Sequence, residues 1–208
     1  GGLALAMGSG CATTRMPRGE LSQYMRIRWP VSAHLAPGGD LYYMYNAEGV
    51  MQLYRVPGAE LAAERVQLTD FEEGIEGYAL SPDGRHAAVT AAVGGSEQSD
   101  LYLLSTEYGE IEPLFVDPAV VYTSPLWRRD GSGFAYRAND EDPTDFHVYA
   151  YDLASGTPRK VFAGDGLHVP VDFTEDGGKL MVLEYRSSTD TDLMEGDLAT
   201  GAHREITP

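Results

Sequence analysis

Four times along this chain a tight glycine turn separates two apolar stretches, and the copies fall at a near-constant interval. The turns are Pro37-Gly38-Gly39, Pro82-Asp83-Gly84, Arg129-Asp130-Gly131 and Glu175-Asp176-Gly177, with their last glycines 45, 47 and 46 residues apart. A period of this size marks an array of like units, because a unit that cannot bury its apolar face alone stacks on a copy of itself. Glycine belongs at these places, since such turns ask for a positive φ that side chains resist.

Each unit reads as short strands. In the second, residues 78–80 run into the turn, followed by 86–90, a polar loop, 101–104, the turn at Tyr108-Gly109, and 111–115. The third has 125–127, 134–136, an acidic loop, 146–151, Ser155-Gly156 and 160–162, and the fourth 169–173, 180–185, 192–198 and 204–207. The first is looser, with 41–45, 51–56 and 66–69, and a further strand is expected at 24–29. These runs are rich in Val, Leu, Tyr and Phe and bounded by Gly, Asp, Ser and Pro, the chemistry of strands and hairpins. Only 61–66 leans towards a helix.

Four antiparallel strands in about 40–50 residues is the arithmetic of a propeller blade. The expected fold is therefore all-β, a β-propeller of four-stranded antiparallel blades. The blades are expected near residues 30–70, 71–117, 118–163 and 164–208. Four blades is the lower end of what closes into a ring. Because the fourth copy owns all its strands, the array is expected to be part of a larger propeller, cut at both ends.

The net charge is −17, from 32 acidic and 15 basic residues. Nucleic acid is excluded as a partner, because phosphate binding needs concentrated Lys and Arg. An anionic membrane surface is disfavoured for the same reason. Loops such as Asp140-Glu141-Asp142, Glu72-Glu73 and 190–192 are expected to face water. The alternative is calcium binding by Asn139, Asp140, Asp142 and Asp145, which offer oxygen ligands but are interrupted by Pro143 and lack a calcium-loop spacing. No metal, cofactor or catalytic residue is assigned.

Residues 1–11 read as the remnant of an export signal. The apolar run Leu3-Ala4-Leu5-Ala6-Met7 leads through Gly8-Ser9-Gly10 to Cys11, the only cysteine. An apolar segment ending in small residues is the tail of a secretory signal. A cysteine directly after it resembles a bacterial lipoprotein cleavage box, in which Cys11 would become the lipidated first residue; Gly8 stands where leucine is usual. The alternative is an ordinary leader with an incidental thiol. One cysteine excludes internal disulfides. Residues 12–29 then form a polar tether and first strand. The expected location is exported, periplasmic or lipid-anchored at a bacterial membrane, the lipid being the only membrane contact.

The stretch Tyr78-Ala79-Leu80-Ser81-Pro82-Asp83-Gly84-Arg85-His86-Ala87-Ala88-Val89 resembles the blade signature of TolB-like propellers and of the propeller domains of the prolyl oligopeptidase family of serine peptidases. Residues 139–156, a polar loop leading into a tyrosine-rich strand, and 170–201 look like blades of the peptidases. The resemblance covers roughly residues 30–208. It implies a C-terminal α/β-hydrolase domain carrying a Ser-Asp-His triad, with the propeller gating peptide access to it. In the TolB manner it implies instead a non-catalytic module whose faces bind protein or peptide partners.

A hydrolase of that kind needs its serine within Gly-x-Ser-x-Gly on a sharp strand-to-helix turn. Gly8-Ser9-Gly10, Gly95-Ser96 and Gly131-Ser132-Gly133 lack that spacing. His34, His86, His147, His168 and His203 are scattered and suggest no pairing of base with nucleophile. Whether the parent protein is an enzyme therefore rests on sequence beyond Pro208. Tyrosines such as Tyr43, Tyr102 and Tyr149 are expected to pack across strands, and Trp127 to fill a blade core.

Overall fold

Each expected glycine turn closes in the same way. The N–H groups of Gly39, Gly84, Gly131 and Gly177 donate to the carbonyls of Ala36, Ser81, Arg128 and Thr174 at 2.9–3.0 Å. All four glycines hold positive φ, between 67° and 91°. The computed structural model describes residues 27–60 and 63–207. Sixteen strands in these residues form four antiparallel meanders.

The first blade contains β1 (Pro30–Leu35), β2 (Leu41–Tyr45), β3 (Gln52–Val56) and β4 (Val66–Gln67). The second contains β5 (Gly77–Leu80), β6 (His86–Ala92), β7 (Ser99–Ser105) and β8 (Ile111–Phe115). In the third are β9 (Tyr122–Trp127), β10 (Gly133–Asp142), β11 (Asp145–Asp152) and β12 (Thr157–Phe162). The fourth has β13 (Leu167–Phe173), β14 (Lys179–Ser187), β15 (Asp190–Asp197) and β16 (His203–Glu205). One parallel pairing, Phe146 with Leu167, joins the third and fourth blades.

Two expectations need correction. The first described strand is Pro30–Leu35; of the strand expected at 24–29, residues 27–29 carry none and 24–26 lie outside the described residues. The helical lean of 61–66 is not realised at 63–65, which are irregular, while 61–62 lie outside the described residues. Only a single 3-10 turn, Pro57–Ala59, interrupts the strands nearby. Among the described residues no helix is long and apolar enough to cross a membrane.

The blades stack through three apolar layers. Tyr42, Met44 and Leu53 of the first blade meet Leu80, Ala87, Val89 and Leu104 of the second. Ala88 and Leu101 of the second blade meet Trp127, Phe134, Tyr136 and Tyr151 of the third. Ala135, Val148 and Ala150 meet Phe173, Leu180 and Val182 of the fourth. Strand alternation explains the division, because Ala87 and Val89 point one way and Ala88 the other. Full burial of each such aliphatic or aromatic side chain contributes roughly 1.5–3 kcal/mol.

Hydrogen bonds across the turns fix which positions are equivalent. Ser81, Arg128 and Thr174 donate to His86, Gly133 and Lys179, each two residues past the turn glycine, whereas Ala36 donates to Asp40, directly after Gly39. The first turn is thus one residue shorter. Leu41, Ala87, Phe134 and Leu180 share one position, and Tyr43, Val89, Tyr136 and Val182 share another. In the last three blades both positions face the preceding blade.

Candidate interaction surface

An antiparallel meander puts the hairpins between second and third strands on the same rim as the connections between blades. Polar side chains fasten these two kinds of loop together there. Glu73 accepts the Gly95 N–H at 2.6 Å and Glu76 takes the Ser99 hydroxyl. Asp100 accepts from the Asp117 N–H at 3.3 Å, Asn139 from Val121 at 2.7 Å and Asp145 from Gly166 at 2.7 Å. Part of the acidity expected only to face water therefore ties the rim to itself.

The candidate calcium ligands also take part in hydrogen bonds. Asp140 accepts the Tyr149 hydroxyl at 2.6 Å, and Asp142 accepts both the N–H and the hydroxyl of Thr144. With Asn139 and Asp145 engaged on different connections, the four groups diverge. No set of three or more His, Cys, Asp or Glu side chains in position to hold a metal occurs among the described residues.

Three strands of the third blade bring together a cluster that sequence reading missed. Glu141 lies 3.4 Å from Nε2 of the buried His147 and pairs with Lys160. The Lys160 ammonium stands 5.7 Å from the Tyr149 ring centre. The hydrogen bond from Lys160 lowers the Glu141 pKa, while burial, with Asp140 as acceptor, raises that of Tyr149. The cluster holds a base and an acid but no nucleophile. Glu141 ties Lys160 to His147 across β10, β11 and β12, while Nδ1 of His147 is buried without a partner among the described residues.

Two further histidines pack within the third and fourth blades. His168 is buried at the junction of the third and fourth blades, with Nδ1 3.1 Å from the Phe146 carbonyl. His203 stacks on Phe162 and places Nε2 2.8 Å from the Val161 carbonyl. Ser132 donates to Asp130 inside its turn, and the Ser96 hydroxyl accepts from the Gln98 N–H. Among the described residues no serine hydroxyl hydrogen-bonds a histidine ring, so a base–nucleophile pair is not assembled there. His34 and His86 lie on β1 and β6; Ser9 and Cys11, the lipidation candidate, lie outside the described residues.

A concave region lies elsewhere, on the outer face of the first blade. A groove of about 870 Å³ is lined there by Arg28, Leu41, Tyr43, Tyr45, Val56 and Arg65. Tyr43, Tyr45 and Tyr54 have ring centres 5.9–6.0 Å apart. The Arg65 guanidinium stands 5.1 Å from the Tyr45 centre, a cation–π distance. Leu41 and Tyr43 occupy the positions that the later blades bury against their predecessors.

With this geometry in place, the likeness to solved structures is specific in fold. A prolyl endopeptidase matches with a TM-score of 0.71 and 18% identity, over 88% of this chain and 30% of that one. A puromycin-hydrolyzing peptidase from Mycobacterium tuberculosis matches with a TM-score of 0.68 and 16% identity, over 87% and 31%. TolB from Acinetobacter baumannii matches with a TM-score of 0.64 and 18% identity, over 86% and 44%. The chain spans less than half the length of these relatives. No protein-family profile matches it, and no curated protein does.

Proposed function

We propose that the chain is the propeller portion of an exported serine peptidase of the prolyl oligopeptidase kind, gating peptide access to a hydrolase domain. The observation that carries this reading is the fit of nearly the whole chain to the two peptidases, with TM-scores of 0.71 and 0.68. The described residues supply rims and blade faces and no nucleophile, which suits a part that admits substrate rather than one that cuts it. Acyl transfer through serine would belong to the hydrolase domain. In the same reading Cys11 carries a lipid that holds the exported protein at the membrane.

A second reading has its own support. The chain accounts for 44% of the Acinetobacter baumannii TolB, against 30% and 31% of the peptidases. On that reading the propeller is a non-catalytic module, and its acidic rim meets a protein or peptide partner.

A peptide-length series separates the two. The product of the complete reading frame is incubated with short proline-containing peptides and with the same sequence embedded in a folded protein. Cleavage of the short peptides alone is expected. Equal cleavage of both removes the gating role, and no cleavage of either favours the non-catalytic module.

A further inference from the structure

An arginine without a counter-ion lies between the third and fourth blades. Three arginines among the described residues bury Nε without a hydrogen bond: Arg55, Arg128 and Arg137. Arg55 has Asp40 at 3.9 Å and donates to the Thr106 carbonyl. Arg128 lies close enough to Asp130 and Asp152 to help lower their pKa values. Arg137 meets no carboxylate and makes no side-chain hydrogen bond among the described residues, and burial alone lowers its pKa. A chain of net charge −17 has carboxylates to spare. A half-buried cation left without one carries an uncompensated desolvation cost.

Register shows what surrounds the guanidinium. Arg137 on β10 pairs with Val148 of β11 and Thr123 of β9, so the three side chains share the face turned to the fourth blade. A bulge in β9 sets this pairing. Ala135 faces Leu126, so a regular ladder would bring Ser124 opposite Arg137, and the extra residue brings Thr123 there instead. Ser124 takes up the bulge at a φ of +56°, which a residue with a side chain adopts at a cost. On another side the guanidinium carbon stands 5.2 Å from the Phe146 ring centre. Phe146 is itself fixed, its N–H donating to the Gly166 carbonyl at 2.8 Å. Across the junction, Glu184 lies on the same side of β14 as Val182 but pairs with Arg186 at 3.0 Å. Only Nε of Arg137 is sealed, so its Nη fork stays open.

We propose that Arg137 and Thr123 form an oxyanion site whose ligand is a monoanionic carboxylate, gripped by the Nη fork with the Thr123 hydroxyl as a further donor. A planar fork matches a carboxylate with two parallel hydrogen bonds. Charge selects against phosphate. Asp140, Glu141, Asp142 and Asp145 lie around the hairpin that joins β10 to β11, a few residues beyond Arg137, and repel a dianion more than a monoanion. A small acid and the C-terminus of a peptide present the same carboxylate, and the test distinguishes them. The inference rests on the blade registers and not on the peptidase reading.

Phenylglyoxal, which attacks guanidinium nitrogens, is applied to the complete reading frame's product, and peptide mapping reads Arg137 against the exposed Arg85. Arg137 is expected to take the label. Acetate or acetyl-alanyl-alanine at tens of millimolar is expected to protect it while Arg85 stays labelled. The amide of the same peptide is expected to give no protection, and inorganic phosphate to need about tenfold more. Protection by the peptide at about tenfold lower concentration than acetate assigns a chain end, and any smaller difference assigns a small acid. In calorimetric titration of the same peptide, Arg137→Lys keeps the charge, loses the fork and is expected to weaken binding about tenfold. Thr123→Val is expected to weaken it severalfold. An Arg137 that takes no label, equal protection by the amide or by phosphate, or binding unchanged in Arg137→Lys overturns the proposal.

Discussion

Trp127 donates its indole N–H to the carbonyl of Ala79 at 2.8 Å, reaching from the innermost strand of the third blade to that of the second. The same ring is buried against Phe134, with centres 5.1 Å apart. One side chain thereby supplies both the apolar contact and the polar tie of a blade junction. Replacing Trp127 with Phe keeps most of the packing and removes this hydrogen bond, at a cost of about 1 kcal/mol. Trp127→Ala opens a cavity and is expected to cost about 3–5 kcal/mol. Urea unfolding of the two variants checks the order and the gap.

Two glycines with different reasons to be glycine should respond differently. A Cβ at Gly133 would lie 2.1 Å from the Tyr151 carbonyl oxygen, so Gly133→Ala must push β10 from β11. Its cost is expected to exceed the ~3 kcal/mol common for overpacking. At Gly177 nothing lies within 4 Å, and only the φ of +67° opposes a side chain. Gly177→Ala is expected to cost about 1–2 kcal/mol. Equal losses in thermal unfolding would refute the close approach at Gly133.

Burial lowers the pKa of His168 below its ordinary 6.5, against the opposing pull of the Phe146 carbonyl, Glu184 and Asp145. The folded chain therefore prefers the neutral ring, and the unfolded chain binds the proton more readily. Stability from this group is complete above pH 6.5 and declines as the pH falls through 6.5 towards the depressed folded value. Unfolding free energy measured from pH 7.5 to 5 should decrease, and His168→Leu should flatten that slope. A slope unchanged by the substitution would assign the dependence to other groups.

The fold was legible because its signal is local. Glycines at positive φ, each followed by a short apolar run, announce a turn without knowledge of any partner, and four of them declare the repeat. Pro30–Leu35 escaped for the opposite reason: Ala33, His34 and Leu35 are exposed, and the run carries no apolar alternation. The cluster of Glu141, His147 and Lys160 escaped because its members come from three strands and meet only through sheet register. No spacing in the sequence encodes such a meeting. The rim carboxylates read as solvated for a related reason, since a hydrogen bond to a backbone N–H on the next loop leaves no mark on composition.

The turn aspartates were read only as turn formers, yet each caps its own loop. Asp130 accepts from the backbone N–H and hydroxyl of Ser132, and Asp176 from the Thr174 hydroxyl and the Gly178 N–H. These bonds lower both carboxyl pKa values below the usual 3.8. Their contribution is present above that pH and is lost as the pH falls through the depressed values. Asp130→Ala and Asp176→Ala should lower the melting temperature at pH 7 and leave it nearly unchanged near pH 2, as scanning calorimetry would register.

The central claim is that this propeller serves a catalytic serine without containing it. Fluorophosphonate labelling of the complete reading frame's product, followed by peptide mapping, tests that claim most directly. The account predicts one labelled serine, beyond Pro208, and none within residues 27–207. A labelled serine inside those residues, or a complete product that takes no label, would contradict it.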